Sequence, residues 1–277
     1  MPLFQTLAEL QQARKAQTGQ LCGLVPTMGA LHQGHLALIK QALKENQCVW
    51  VSIFINPTQF NKQSDLSSYP SNLAEDIKAI HLVDPSICIF APAITEMYPQ
   101  EVISASFLFN GLDCVMEGAD RPGHFQGVIT IVSKLLEAVK PDNAYFGEKD
   151  FQQLQIIKNW SKKAGIATKI YGCPIVRESH GLAMSSRNKL LSSEARKEAG
   201  FIYKALIACK NTENKTSLNA NIKKIFAEHP TFKLHYCVCL EEETLTELEE
   251  FQTATSPRLF IAATVEGVRL IDNIALK

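Results

Sequence analysis

The segment Pro26-Thr27-Met28-Gly29-Ala30-Leu31-His32-Gln33-Gly34-His35 sets two imidazoles three positions apart, where a short apolar run gives way to a helical pattern. In helical geometry that spacing puts both rings on one face. A strand-to-helix junction offers backbone N–H groups and the positive end of a helix dipole, which suits an anion. Gly34, between the rings, lets a ligand approach the backbone closely. Two imidazoles there can donate hydrogen bonds to phosphate oxygens and offset the charge that develops during attack on phosphorus. The bland alternative is a pair of surface histidines at a helix start. HxGH alone is only moderately specific, and its strand-to-helix setting favours chemistry.

Two further segments carry polar groups of the same kind. Gly181-Leu182-Ala183-Met184-Ser185-Ser186-Arg187-Asn188 holds two hydroxyls and a guanidinium in consecutive positions, a composition that can clamp phosphate. A helix N-cap explains Ser and Asn there equally well. Phe146-Gly147-Glu148-Lys149-Asp150-Phe151-Gln152-Gln153 offers Lys149 to neutralise phosphate and Asp150 to bind a ribose or help place magnesium. Gln153 can hold the hydroxyls of a small polar substrate. The alternative is a charged helix start, for which Glu148 and Asp150 suit the dipole.

The elements that must position these groups are legible in outline. A helix is expected at the N-terminus, where Leu3, Leu7 and Leu10 are spaced helically. The runs QLCGLVPT, CVWVSIFIN, PSICIFAP, NAYFG and TKIYGCPIV read as buried strands. Between them residues 35–43, 72–83, 127–139 and 151–164 read as helices. That alternation through about residue 176 predicts an α/β fold with a parallel sheet covered by helices, whose ligands sit at the carboxyl ends of the strands. Beyond it, helices over 193–209 and 218–227 and strands FKLHYCVCL, RLFIAATV and VRLIDNIAL predict a smaller α+β domain. The division expected is 1–178 and 179–277.

Bulk properties exclude several classes. The chain has 277 residues, 46% hydrophobic and 20% charged, with 28 basic and 28 acidic side chains. Such a balance gives no global field to hold nucleic acid or an anionic membrane, so a phosphate site must be local. No apolar run approaches the roughly 20 residues of a membrane span, and the N-terminus lacks a signal-peptide pattern. A cytoplasmic protein is expected. The eight scattered cysteines contain no CxxC and read as buried free thiols, with Cys237 and Cys239 facing one side of a strand.

The first two motifs, about 150 residues apart, resemble the HxGH and KMSKS signatures of the nucleotidyltransferase superfamily, with Arg187 near the second lysine of the latter. PTMGALHxGH, INPTQF (55–60), RPGHFxGV (121–128), FGEKDFQQL (146–154) and GLAMSSRN (181–188), in this order, resemble the pantothenate synthetase family over residues 24 to about 195. The resemblance implies a Rossmann-like sheet domain of the HIGH nucleotidyltransferase type. It implies that pantoate and ATP, with Mg²⁺, form pantoyl adenylate and pyrophosphate, and that the amine of β-alanine then displaces AMP. Met28, Gly29, Ala30, Leu31, His32, Gln33, Gly34 and His35 would line the ATP site, with His35 the residue usually assigned as proton donor. Neither half-reaction needs a proton delivered to its leaving group, and a hydrogen bond from His35 to phosphate explains the motif equally well. Gly147, Glu148, Lys149 and Asp150 would bind ATP, Val176 would meet adenine through its backbone, and Met184, Ser185, Ser186 and Arg187 would close on the phosphates. His32, His35, Lys149 and Arg187 would stabilise the reacting phosphates. Gln59 and Gln153 would hold pantoate, and Gln59 then β-alanine. A homodimer through the first domain is also implied.

No metal ligand is assigned; Glu75 and Asp76 are candidates, and a solvated acidic helix start explains them as well. Within RPGHF, His124 either shapes the pantoate side of the pocket or is structural. Two positions depart from the family pattern: Ser71 and Gln126 stand where arginine is frequent. Three other classes would leave different marks in the sequence. A simple adenylyltransferase would lack INPTQF and FGEKDFQQL. A tRNA-charging enzyme would carry a basic extension. An inactive nucleotide binder would be expected to lack at least one of His32, His35, Lys149, Ser185, Ser186 and Arg187.

Overall fold

The chain opens with a short strand, and the reason lies in its first helix. Thr6 caps that helix by accepting from the Glu9 amide, while Glu9 accepts from the amides of Gln5 and Thr6. This capping box starts α1 (Leu7–Ala16) at Leu7. Leu3 therefore lies outside the expected helix, in β1 (Leu3–Phe4), which adds to the sheet edge beside Ile89 and Phe90.

The computed structural model describes residues 2–61 and 63–277. After β1 come β2 (Cys22–Thr27), β3 (Cys48–Ile53), β4 (Cys88–Phe90), β5 (Asn143–Gly147) and β6 (Lys169–Cys173). They form one parallel sheet in the order β1-β4-β3-β2-β5-β6. The chain order reverses between β2 and β5, the switch point where such sheets open a crevice at their carboxyl edge. The helices of this part are α1, α2 (Gln33–Glu45), α3 (Gln63–Ser67), α4 (Leu73–Val83), α5 (Ile94–Met97), α6 (Met116–Asp120), α7 (His124–Val139) and α8 (Phe151–Lys163). One sheet face buries Val25, Val49, Val51 and Ile89 against Leu38, Ile39 and Ile80 of α2 and α4. The inner strands β2, β3, β4 and β5 are buried along nearly their whole length, which explains their apolar runs, whereas β6, expected to be buried, lies at the sheet edge with Lys169 and Tyr171 exposed.

The second part contains α9 (Ser193–Glu198), α10 (Phe201–Cys209), α11 (Lys215–Ala227), and an antiparallel sheet of β7 (Lys233–Glu241), β8 (Pro257–Val265) and β9 (Val268–Ala275). Its core packs Ile202, Leu206, Leu218 and Ile222 on Leu259 and Ile261, with Cys237 and Cys239 buried on the same side. The single helix expected over 193–209 is two helices. They part at Ala199 and Gly200, where Gly200 packs so closely on the preceding segment that a side chain would meet the His180 carbonyl at 2.2 Å.

Contacts divide the chain into two compact units, residues 1–148 with 156–174 and residues 149–155 with 175–277. The one-boundary division at 178 misses the return of 149–155. That segment joins the second unit because the Phe151 ring lies under the Arg258 guanidinium at 4.0 Å and beside Phe260 at 5.8 Å. All eight cysteines are free thiols, but Cys114 is exposed rather than buried. Among the described residues no helix is long and apolar enough to cross a membrane.

Candidate active site

The loop after β2 sits at the carboxyl edge of the first sheet and is built almost wholly by side chains. Gly29 and Ala30 both take left-handed backbone conformations, with φ of 81° and 50°. For a non-glycine residue this costs about 1–2 kcal/mol, so something must hold Ala30 there. Asp76 of α4 does so. It is 4% exposed, and its two carboxylate oxygens accept from the amides of Ala30 (2.9 Å) and Leu31 (2.7 Å). The Gly29 amide donates to Thr27 Oγ1, whose own hydroxyl donates to the Ser52 carbonyl.

His32 is the N-cap of α2. Its Nδ1 accepts from the Gly34 amide at 3.1 Å, and the His32 amide donates to His35 Nδ1 at 3.4 Å. The two rings stack with centroids 4.0 Å apart. An Nδ1 that accepts from a backbone N–H places the proton of a neutral ring on Nε2. Both imidazoles are thus set as Nε2 donors. The amides of Gly29, Ala30, Leu31, His32 and Gly34 donate to side chains, so these five of the amides expected at the junction are engaged and the loop presents imidazole beside the rest. Asp76 is thus buried rather than solvated, and each of its oxygens already accepts one loop amide. Glu75, next to it, is exposed. Among the described residues no group of three or more His, Cys, Asp and Glu side chains is arranged to hold a metal ion.

Gln59 lies in a 3-10 turn, Pro57–Gln59, that follows β3. It is buried and its amide nitrogen donates to Met28 Sδ, which ties it to the His32–His35 loop. Around it runs a polar network not foreseen from the sequence. Asn56 donates to Gln59 Oε1 and to the Gly127 carbonyl, and accepts from Tyr98 and Thr58 hydroxyls. His124, 7% exposed, contacts the Gln59 carbonyl through Nδ1 at 2.8 Å, and its Nε2 faces Arg121 Nη1 at 3.2 Å. Arginine can only donate, so Nε2 accepts and Nδ1–H donates to Gln59. Helix α7 presses against this turn at Gly127, where a side chain would meet the Thr58 carbonyl oxygen at 2.3 Å. Gln126, one of the two departures from the resembled pattern, holds both backbone groups of Phe107.

Gly147 ends β5, next to β2 in the sheet, and the 3-10 turn Glu148–Asp150 follows it. In the second unit, Lys149 pairs with Asp150 at 3.1 Å, with side chains 17% and 49% exposed. Pairs at such sites are worth about 0–1 kcal/mol, so an incoming phosphate can displace the carboxylate at small cost. Gln153 sits in the first turns of α8.

The segment 176–188 folds on itself. The Met184 amide donates to the Val176 carbonyl, and Arg177 and Ala183 form an antiparallel bridge. Ser185 caps a short 3-10 helix, Ser186–Leu190, by accepting from the Arg187 amide. Glu178 braces the segment through Asn188 and Arg196. Burial raises its carboxyl, but the hydrogen bonds from Arg196 and Asn188 outweigh this and leave it below the usual range. Arg177 grips Asp272 of β9 with two nitrogens, and the neighbouring Asn273 donates to the Lys149 carbonyl. The second unit therefore gathers Lys149, Val176 and Met184–Arg187 along β9. The first gathers Met28–His35, Gln59 and Gly147 at the β2–β5 edge.

A family model described as pantoate-beta-alanine ligase matches residues 2–275. Curated relatives include the pantothenate synthetase of Christiangramia forsetii, 46% identical over 271 residues covering 96% of each chain. That of Bacteroides fragilis is 44% identical over 283 residues, covering 100% of this chain and 99% of the relative. Among solved structures, a pantothenate synthetase from Thermus thermophilus matches with a TM-score of 0.92 and 38% identity, covering 100% of this chain and 99% of that one. A pantoate-beta-alanine ligase from Francisella tularensis, complexed with beta-gamma ATP and beta-alanine, matches with a TM-score of 0.84 and 38% identity, covering 100% and 98%.

Proposed function

The chain belongs to the pantoate-beta-alanine ligase family, and from that premise we infer how its residues divide the work of joining pantoate to β-alanine with ATP. In the first half-reaction a pantoate carboxylate oxygen attacks the α-phosphorus and pyrophosphate leaves, giving pantoyl adenylate. In the second, the β-alanine nitrogen attacks the acyl carbon, AMP leaves, and the amine proton passes to solvent.

The observation that carries the assignment of roles is the pair of Nδ1 acceptors in His32 and His35. It presents two Nε2–H donors on one loop. The first half-reaction brings two anions together, and donors fixed before reaction stabilise the charge shift without reorganising. Lys149 and Arg187 add positive charge to the phosphates, and Ser185 and Ser186 add hydroxyl donors. Gly147, Glu148 and Asp150 border the nucleotide, with the backbone of Val176 against adenine. Gln59, held by Asn56 and His124, and Gln153 orient pantoate and then β-alanine. Magnesium, for which no protein ligand is assigned, would accompany ATP and lower the charge that the carboxylate must approach. The unit of residues 149–155 and 175–277 serves as a lid that keeps water from the adenylate. The enzyme works in the cytoplasm as a homodimer joined through its sheet domain; sedimentation at the mass of one chain would contradict that assembly.

Exchange of labelled pyrophosphate into ATP, dependent on pantoate, tests the roles. His35→Ala and Lys149→Ala are each expected to slow it by about 10²- to 10³-fold, the usual effect of removing one transition-state donor. Exchange at the wild-type rate in either folded variant refutes its role.

A further inference from the structure

At the opposite, amino edge of the same strands lies a group of sulfurs that the ligase reaction does not use. Cys22 opens β2 and Cys48 opens β3, and the two are direct partners in the parallel register. Neighbouring strands lie about 4.8 Å apart, inside the roughly 4.4–6.8 Å Cα separation that a disulfide spans. Cys22 is fully buried and Cys48 half-buried. Helix α1 lays Arg14 over them. The guanidinium is fixed by the Val139 carbonyl at 2.8 Å and the Gln17 side chain at 3.1 Å, and it reaches Cys48 Sγ at 3.6 Å. Gln17 is fixed in turn by Trp50, and it contacts Cys88 Sγ at 3.4 Å. The facing charged groups are Arg14 and Asp142, whose carboxylate accepts from the Cys22 amide.

We propose that Cys48 and Cys22 form a peroxide-responsive thiol pair, with Cys48 as the attacking sulfur and Cys22 as the resolving one. A hydrogen bond from Cys22 draws the Cys48 thiol down to about 7, against burial and with the help of Arg14. The same hydrogen bond and burial push Cys22 up. The half-buried sulfur is therefore the nucleophile, and the buried one supplies a proton. Cys48 thiolate attacks one oxygen of hydrogen peroxide, the O–O bond breaks, and the departing hydroxide becomes water, leaving a sulfenic acid. Cys22 sulfur then attacks Cys48 sulfur; the S–O bond breaks and a second water leaves with the Cys22 proton. Two thiols and one peroxide yield one disulfide and two waters. The neighbour spares Cys48 from the irreversible steps further along the oxidation ladder.

The test treats the full chain with hydrogen peroxide, blocks remaining thiols by alkylation and maps the peptides by mass. The expected product has lost two hydrogens, joins the peptides of Cys22 and Cys48, and reverts with dithiothreitol. Cys22→Ser is expected to accumulate sulfinic acid at Cys48, and Cys48→Ser to give no link. Alkylation of Cys48 in the wild type should rise with a midpoint near pH 7, moving upward in Arg14→Met and less in Arg14→Lys. A link from Cys48 to Cys88 would overturn the proposal. So would a reduced Cys22–Cys48 pair alongside oxidised Cys114, the exposed thiol. The mapping in the wild type decides the matter even where a variant fails to fold.

Discussion

Asp76 is a single buried carboxylate that holds the loop after β2 in its left-handed course. Both of its oxygens accept loop amides, so Asp76→Asn turns one acceptor into a donor that faces an N–H. A buried amide left without its acceptor costs about 1–3 kcal/mol. The variant is expected to melt earlier by that amount and to show a raised KM for ATP. The loss should persist at saturating magnesium; recovery of activity on raising magnesium would restore Asp76 as a metal ligand and defeat the positioning role. At this scale the sequence was informative wherever the partner was local. His32 and His35, three residues apart, do lie together, although through the capping box of α2 with His32 extended outside the helix rather than through a shared helical face. The role of Asp76 was hidden because its partners lie 45 and 46 residues away, and an acidic first helical turn is common enough to need no partner. For the same reason the use of the loop amides by side chains was missed.

Among the elements, α7 and the turn after β3 form the tightest joint in the site. A methyl group at Gly127 would lie 2.3 Å from the Thr58 carbonyl oxygen and 2.6 Å from the Gln59 amide, all of it backbone that cannot swing aside. Overpacking of this kind costs about 1–3 kcal/mol. Gly127→Ala is expected to lower stability by that amount and to raise the KM for pantoate more than that for ATP, because the turn carries Gln59. Equal KM values for both substrates, at wild-type levels, would detach Gln59 from this joint. The inner strands β2 to β5 were legible as apolar runs because burial on both faces removes polar alternation. β1 escaped notice because two residues carry no periodicity, although Thr6 and Glu9 spell a capping box that starts the helix after it. The need for glycine between α9 and α10 was hidden because the His180 carbonyl that crowds Gly200 comes from an earlier segment.

On the scale of the whole molecule, the alternation of strands and helices followed by a strand-rich tail foretold two parts. It did not foretell that residues 149–155 leave the first unit for the second. Their anchors, Arg258, Phe260 and Asn273, lie over a hundred residues later in the chain. The consequence bears on function, since Lys149 travels with the unit that carries Met184–Arg187 while His32 and His35 stay with the sheet. The adenylation proposed above therefore draws its phosphate-binding residues from two separately packed units. The most direct test is pyrophosphate release from ATP and magnesium with pantoate, measured with and without β-alanine. The expected result is pyrophosphate that requires pantoate, limited to about one enzyme equivalent without the amine if the adenylate stays enclosed, with AMP and pantothenate accumulating only when β-alanine is added. Absence of pantoate-dependent pyrophosphate, or AMP released steadily without the amine, would contradict the account.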